Sequence, residues 1–176
     1  GLPLIAIVPV EGTLVPGDSE EGMAGSDTIS GYIDTALEAE DLAAIVLRVN
    51  SPGGSVFASD LIRRKLAEAK AADIPVIVSM GSVAASGGYC ISAEADEIWA
   101  LPTTITGSIG AFSAFPTIEG IVDYIGVTVD GMGTTPLAGE ASFNRGLSPE
   151  MASIVQALAN GAYEDFIELV ASGRGL

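Results

Sequence analysis

The chain has 176 residues, 48% of them hydrophobic and 17% charged, which suits one domain spanning 1–176 with a core of its own. Its 23 acidic and 7 basic residues leave a net charge of −16, and a surface that acidic repels phosphate backbones, which argues against nucleic acid as a partner. There is no histidine, so neither a Ser-His-Asp triad nor a histidine-bound metal belongs to this chain, and any general base must be a carboxylate, a lysine or a group from outside.

The N-terminal residues 2–10 read as a strand, with no basic region before them. Residues 11–25, rich in Gly, Glu, Pro and Ser, read as an exposed loop and as the best candidate for a mobile segment. Helix-period and apolar stretches then alternate: helix 28–37, strand 43–49, helix 56–72, strand 76–79, helix 84–93 and strand 98–101. Such alternation predicts an α/β fold of βαβ units with a mainly parallel sheet. The runs 44–47 and 76–78 are apolar at every position, as expected of strands covered on both faces. Further on, 118–125 reads as helix and 128–133 as strand and turn. Ser148-Pro149-Glu150 opens a helix to about residue 170, with Ser148 as N-cap and Pro149 in the first helical position.

No run approaches the ~18 apolar residues of a membrane span, so the chain as given reads as soluble. It opens without an initiator methionine and stops soon after an amphipathic pattern, which reads as a fragment or a processed piece. The single cysteine, Cys90, cannot form an internal disulfide, and in an apolar helix it reads as an inert core thiol. Nothing calls for a cofactor.

Three loops could carry chemistry. Asn50-Ser51-Pro52-Gly53-Gly54-Ser55 follows a buried strand and precedes a helix. Two glycines there can turn backbone N–H groups toward an anion, or can simply make a βα turn capped by Ser55. Gly81-Ser82-Val83-Ala84-Ala85-Ser86-Gly87-Gly88-Tyr89 puts small residues on both sides of Ser86. That leaves room for a substrate carbonyl, and the following N–H and helix dipole would favour an oxyanion; the other reading is a tightly packed helix start. Thr104-Ile-Thr106-Gly107-Ser108-Ile109-Gly110 is a third small-residue loop. Loops leaving the carboxyl ends of neighbouring parallel strands converge on one crevice.

Taken together, Ser-Pro-Gly-Gly after a strand, Met80-Gly-Ser-Val-Ala-Ala-Ser-Gly-Gly-Tyr89 and Thr106-Gly-Ser-Ile-Gly110 resemble the signal peptide peptidase A family of the ClpP/crotonase superfamily. The similarity runs from about Leu4 to the C-terminus and includes Thr134-Thr-Pro-Leu137 and Leu147-Ser-Pro-Glu150. The resemblance implies a ClpP/crotonase-like fold of repeated β-β-α units and a Ser–Lys dyad peptidase. It places the nucleophile at Ser86, the oxyanion donors at Gly87 and the glycine turn (Gly54, with Gly53), and the lysine-orienting hydroxyl at Ser108. It further implies signal peptides or other membrane-derived peptides as substrate, a homo-oligomer, and the periplasmic side of the inner membrane, with any anchor outside this chain. The apolar Ala111-Phe112-Ser113-Ala114-Phe115 stretch fits a groove for unbranched side chains, or else core packing.

The base departs from the short members of that family. Where they carry a lysine on the same domain, this chain reads Thr134-Thr-Pro-Leu-Ala-Gly-Glu140. Its only lysines, Lys65 and Lys70, sit among Arg63, Arg64 and Glu68 on a solvated helix face. The sequence is similar to the C-terminal half of the long, duplicated members, in which the lysine lies in the N-terminal half; an N-terminal lysine-bearing half is therefore the implied partner. Two rivals are a peptidase-like scaffold that binds peptide without a base, and a crotonase-type acyl-CoA enzyme. Against the second, residues 81–89 hold no acid. Phage capsid-maturation peptidases would keep the chemistry and change the substrate.

Overall fold

A computed structural model describes residues 2–135, 137–140 and 142–176. In chain order it contains β1 (Leu4–Glu11), β2 (Thr13–Val15), β3 (Met23–Gly25), α1 (Ser26–Leu37), β4 (Leu42–Ser51), α2 (Val56–Ala71), β5 (Val76–Ala85), α3 (Gly87–Cys90), β6 (Glu97–Trp99), β7 (Ile105–Gly107), α4 (Glu119–Tyr124) and α5 (Pro149–Arg174). Residues up to 110 together with 165–176 form one compact unit, and residues 111–164 a second.

The first unit is built on a parallel sheet in the order β1-β4-β5-β6, with β7 also paired to β5. This is the mainly parallel α/β sheet the alternation predicts. Its core gathers Val8 and Val10 of β1, Ile45, Leu47 and Val49 of β4, and Val76, Val78 and Met80 of β5 with Ile29 and Ile33 of α1 and Ile62 and Leu66 of α2. The opposite set of side chains is not sealed as expected. Val46 and Ile77 are half-buried, and Ile5 and Ile7 are 59% and 69% exposed. Apolar character at every position of a strand therefore does not report two covered faces here.

Three other expectations give way. Residues 11–25 are not simply an exposed loop: β2 and β3 pair in parallel, and Leu14, Ala24 and Gly25 are buried. The stretch 81–85 is strand rather than loop and helix start, because β5 runs on to Ala85 and leaves α3 a single turn. Residues 105–107, read as part of a loop, pair with Val83, Ala84 and Ala85 of β5.

The second unit holds α4 and the start of α5. Ile118 N–H donates to the Phe143 carbonyl at 2.8 Å, the Phe115 and Phe143 rings stack at 6.4 Å, and the Glu119 carboxylate accepts from Gly146 N–H at 3.1 Å. No described residue of 111–164 is fully buried, so the phenylalanines of 111–115 are not core residues, and Phe112 is 90% exposed. The strand expected at 128–133 is absent, in a stretch that ends Gly131-Met132-Gly133, and glycine is a poor strand former. Ser148 caps α5 as expected, its hydroxyl accepting from Met151 N–H at 3.1 Å. Pro136, within the 134–137 motif, lies outside the described residues.

Candidate functional site

Ser86 stands at the junction of β5 and α3 with φ 50° and ψ −121°, a backbone conformation that L-residues avoid. Its surroundings hold it there. The Ser86 N–H donates to the Gly107 carbonyl at 2.8 Å, and its own carbonyl accepts from Tyr89 and Cys90 N–H at 2.9 and 2.8 Å. A strained serine over-determined by its neighbours is a common feature of active sites.

The glycine turn lies directly against it. A Cβ on Gly53, whose φ is 101°, would stand 2.6 Å from Gly87 N and 2.7 Å from the Ser86 Cβ. A Cβ on Gly87 would stand 2.5 Å from the Ser59 hydroxyl and 3.3 Å from Gly54 N. Only glycines let these two backbones approach so closely. The structure therefore brings together four sequence-predicted site residues, Gly53, Gly54, Ser86 and Gly87. Their N–H groups differ in availability. Gly53 N–H donates to the Ser51 hydroxyl at 3.2 Å, whereas the N–H groups of Gly54 and Gly87 have no acceptor among the described residues. The short α3 supplies the N–H after Ser86 but only a single turn of aligned peptide dipoles, less than the longer helix expected from the sequence.

Ser108 follows Gly107, so the Ser86–Gly107 bond sets the two serines on adjacent strand ends. Ser108 also has a positive φ, 51°, and is exposed. Neither the Ser86 nor the Ser108 hydroxyl is bonded to another described residue.

Leu14 and Ser59, which no sequence signal singled out, also support the site, together with Asn50 and Ser51 of the glycine-turn loop. Leu14, 1% exposed, donates its N–H to the Gly53 carbonyl at 2.9 Å and accepts from Ser55 N–H at 2.8 Å, seating the glycine turn. Asn50 offers its side-chain oxygen to Val83 N–H at 3.3 Å. Ser51 and Ser59 are buried polar residues whose hydroxyls bond the turn and the first turn of α2. The Ser55 cap on α2 is as expected, its hydroxyl accepting from Ala58 N–H at 3.2 Å.

Both lysines are engaged away from this crevice. Lys65 pairs with Glu68 at 2.8 Å and Asp34 at 3.1 Å, and those carboxylates hold its amine above the ordinary lysine value, the reverse of what a neutral base needs. Lys70 bonds the Glu94 carbonyl and pairs with Asp96 at 3.3 Å. Burial pushes the Cys90 thiol up to about 11, which leaves it protonated and unreactive near neutral pH. Among the described residues no group of three or more His, Cys, Asp or Glu side chains is placed to hold a metal ion.

Residues 68–176 match the model of peptidase family S49. The chain belongs to that family. It is 48% identical to Protease 4 of Haemophilus influenzae over 98% of its length, and 36% identical to the chloroplastic serine protease SPPA of Arabidopsis thaliana over 82%. This S49 chain spans only 28% and 21% of those two relatives. Among solved structures it is similar to an N165D mutant of ClpP1 from Listeria monocytogenes, with a TM-score of 0.57 at 17% identity, covering 96% of this chain and 72% of that one. That likeness bears on the fold alone, and it agrees with the ClpP-like architecture the motifs imply. Among the described residues, no helix of the S49 chain is long and apolar enough to cross a membrane.

Proposed function

We propose that this chain is the nucleophile-bearing half of a serine peptidase that works by a Ser–Lys dyad, with the lysine supplied by another segment or subunit. The observation that carries the reading is the strained Ser86, its hydroxyl unengaged, set against the backbone of Gly53-Gly54 and Gly87. A lysine kept neutral by burial takes the proton from Ser86 Oγ as the oxygen bonds to the scissile carbonyl carbon. The negative charge that develops on the carbonyl oxygen is met by the N–H groups of Gly54 and Gly87, a donor of this kind contributing about 3 kcal/mol. As the C–N bond breaks, the ammonium returns the proton to the leaving amine, and water then releases the acyl group from Ser86 by the same route. Gly53, whose own N–H is occupied by Ser51, serves by allowing the close approach. Ser108, on the strand end beside Ser86, orients the incoming amine.

The substrate class we propose is signal peptides or other membrane-derived peptides, handled by a homo-oligomer on the periplasmic side of the inner membrane, with the anchor outside this chain. The test uses the protein in which this chain is joined by its lysine-bearing half. A fluorophosphonate should label Ser86, as shown by peptide mapping, and Ser86→Ala should abolish both labelling and hydrolysis of a signal-peptide substrate. Ser86→Ala activity within about tenfold of wild type would sink the assignment. The engagement of both lysines in ion pairs favours one alternative, a peptide-binding scaffold without a base. A complete protein that binds such peptides and leaves them intact would select it.

A further inference from the structure

β5 does not run smoothly to Ser86. Val49 of β4 pairs with Met80, and the next pair is Ser51 with Ala84, so residues 81–83 bulge out against a single residue of β4. A bulge strips backbone groups of their ladder partners, and here side chains replace them. Arg48 donates to the Met80 carbonyl at 3.0 Å, and Asn50 accepts from Val83 N–H at 3.3 Å. On the other edge, the Thr104 hydroxyl donates to the Gly81 carbonyl at 2.9 Å within the bulge, and where the ladder resumes at Ala84 the Thr106 hydroxyl adds a bond to the Ala84 carbonyl at 2.7 Å. Thr104 also accepts from Leu101 N–H at 3.1 Å, which ties the approach to β7 into the same lattice.

β7 is three residues long, pairs among the described residues only with β5, and carries Ile105 at 69% exposure, so little apolar burial holds it in place. Strands this short are marginal without additional contacts. Yet β7 delivers both the Gly107 carbonyl that holds Ser86 N–H and the adjacent Ser108. We infer that Thr104 and Thr106 are positioning residues whose hydroxyls latch β7 to the bulged end of β5 and so fix Ser108 relative to Ser86. The inference rests on the reading of Ser86 as nucleophile.

The experiment compares Thr106→Val with Thr106→Ser, and the double variant Thr104→Val/Thr106→Val with Thr104→Ser/Thr106→Ser, in the protein complete with its lysine-bearing half. Valine keeps the branched shape and loses the donor; serine keeps the donor and loses a methyl. The expected result is a fall in kcat of about tenfold for Thr106→Val and about a hundredfold for the double valine, with KM within about threefold, because misplacement of a reacting group is felt in the chemical step. The rate of phosphonate labelling should fall in parallel, and both serine variants should stay within about threefold of wild type. Melting curves accompany each variant. A Thr106→Val protein with unchanged kcat, serine variants as impaired as the valine ones, or activity lost only together with the fold would each overturn the latch. Ser86→Ala run alongside separates the two ideas. If Ser86→Ala remains active the nucleophile reading itself fails, whereas an inactive Ser86→Ala beside a normal Thr106→Val rejects the latch alone.

Discussion

Gly53 faces Ser86 so closely that a methyl group on Gly53 would stand 2.7 Å from the Ser86 Cβ and 2.9 Å from the Ala85 carbonyl oxygen. Neither neighbour is the free end of a flexible side chain, so one of the two backbones must retreat. Gly53→Ala should therefore displace the glycine turn from Ser86, lowering kcat by about 100- to 1,000-fold, the range for loss of an oxyanion donor. It should also cost about 1–3 kcal/mol of stability through overpacking and a φ of 101° that alanine resists. Urea titration and steady-state kinetics read the two effects, and a fully active Gly53→Ala would show that the close approach is not required.

Ser86 holds a backbone conformation that favours glycine. Ser86→Gly should raise the stability of the folded chain by about 1–2 kcal/mol relative to Ser86→Ala, since it releases the steric cost that alanine retains. Both variants should be inactive. Thermal melts of the pair decide the matter: a glycine variant that melts below the alanine variant would mean that the strain at φ 50° is not borne by the side chain.

Lys65 and Lys70 are proposed to be structural. Changing both to Arg preserves their charges, so peptide hydrolysis by the complete protein should stay within about threefold of wild type. Retained fold with lost activity would revive a local base. Lys65 also has a pH signature, because its amine is held above its ordinary 10.5 by Glu68 and Asp34. Its contribution to stability is present below that value and is lost as pH rises through the higher folded one.

Asp96 should set part of the acid limit. Partial burial pushes its carboxyl up, but the Val76 N–H at 2.8 Å and Lys70 outweigh it and leave the group below its ordinary 3.8. A depressed carboxyl stabilises the fold above its unfolded value and loses that contribution as pH falls through the folded one. Asp96→Asn should be less stable than wild type by a constant margin from about pH 5 to 7, and the margin should shrink below about pH 3.8. Equal stability at neutral pH would show that the carboxylate does no more than the amide.

The parallel sheet, the α1 and α2 helices and the α5 cap were legible because each has a local signature: alternation of apolar runs, the Ser55 cap, and Ser148 followed by Pro149. Gly53, Gly54, Ser86 and Gly87 could be grouped because small residues at the carboxyl ends of parallel strands have one crevice to share. Leu14 could not be found this way. Its neighbours in sequence are those of an exposed loop, and its burial comes from a bridge to Gly54, forty positions later in the chain. The extension of β5 through residues 81–85 was hidden for a related reason. Glycine, serine and alanine are weak strand formers, and they are held extended by partners on β4 and β7 that no local pattern reveals. In the same way, Thr104 and Thr106 look like ordinary turn residues until the bulged end of β5 that they bond is seen.

Every pair in the main sheet is parallel, with Leu4 joined to Leu42 and Ile45 to Val76, so no strand can meet its neighbour until a whole crossover has been made. Such long-range pairing slows folding, because loop closure must precede the contacts that reward it. Of the strands in this sheet β1 is made first, with Ile5 and Ile7 on its surface, and waits for β4. The short β7 emerges last of the strands that frame Ser86, so the crevice is the final part of the sheet to assemble. Until β4 pairs with it, β1 shows water an apolar, unpaired edge, and the acidic excess of the sequence, a net charge of −16 for the whole 176 residues, works against association of such edges.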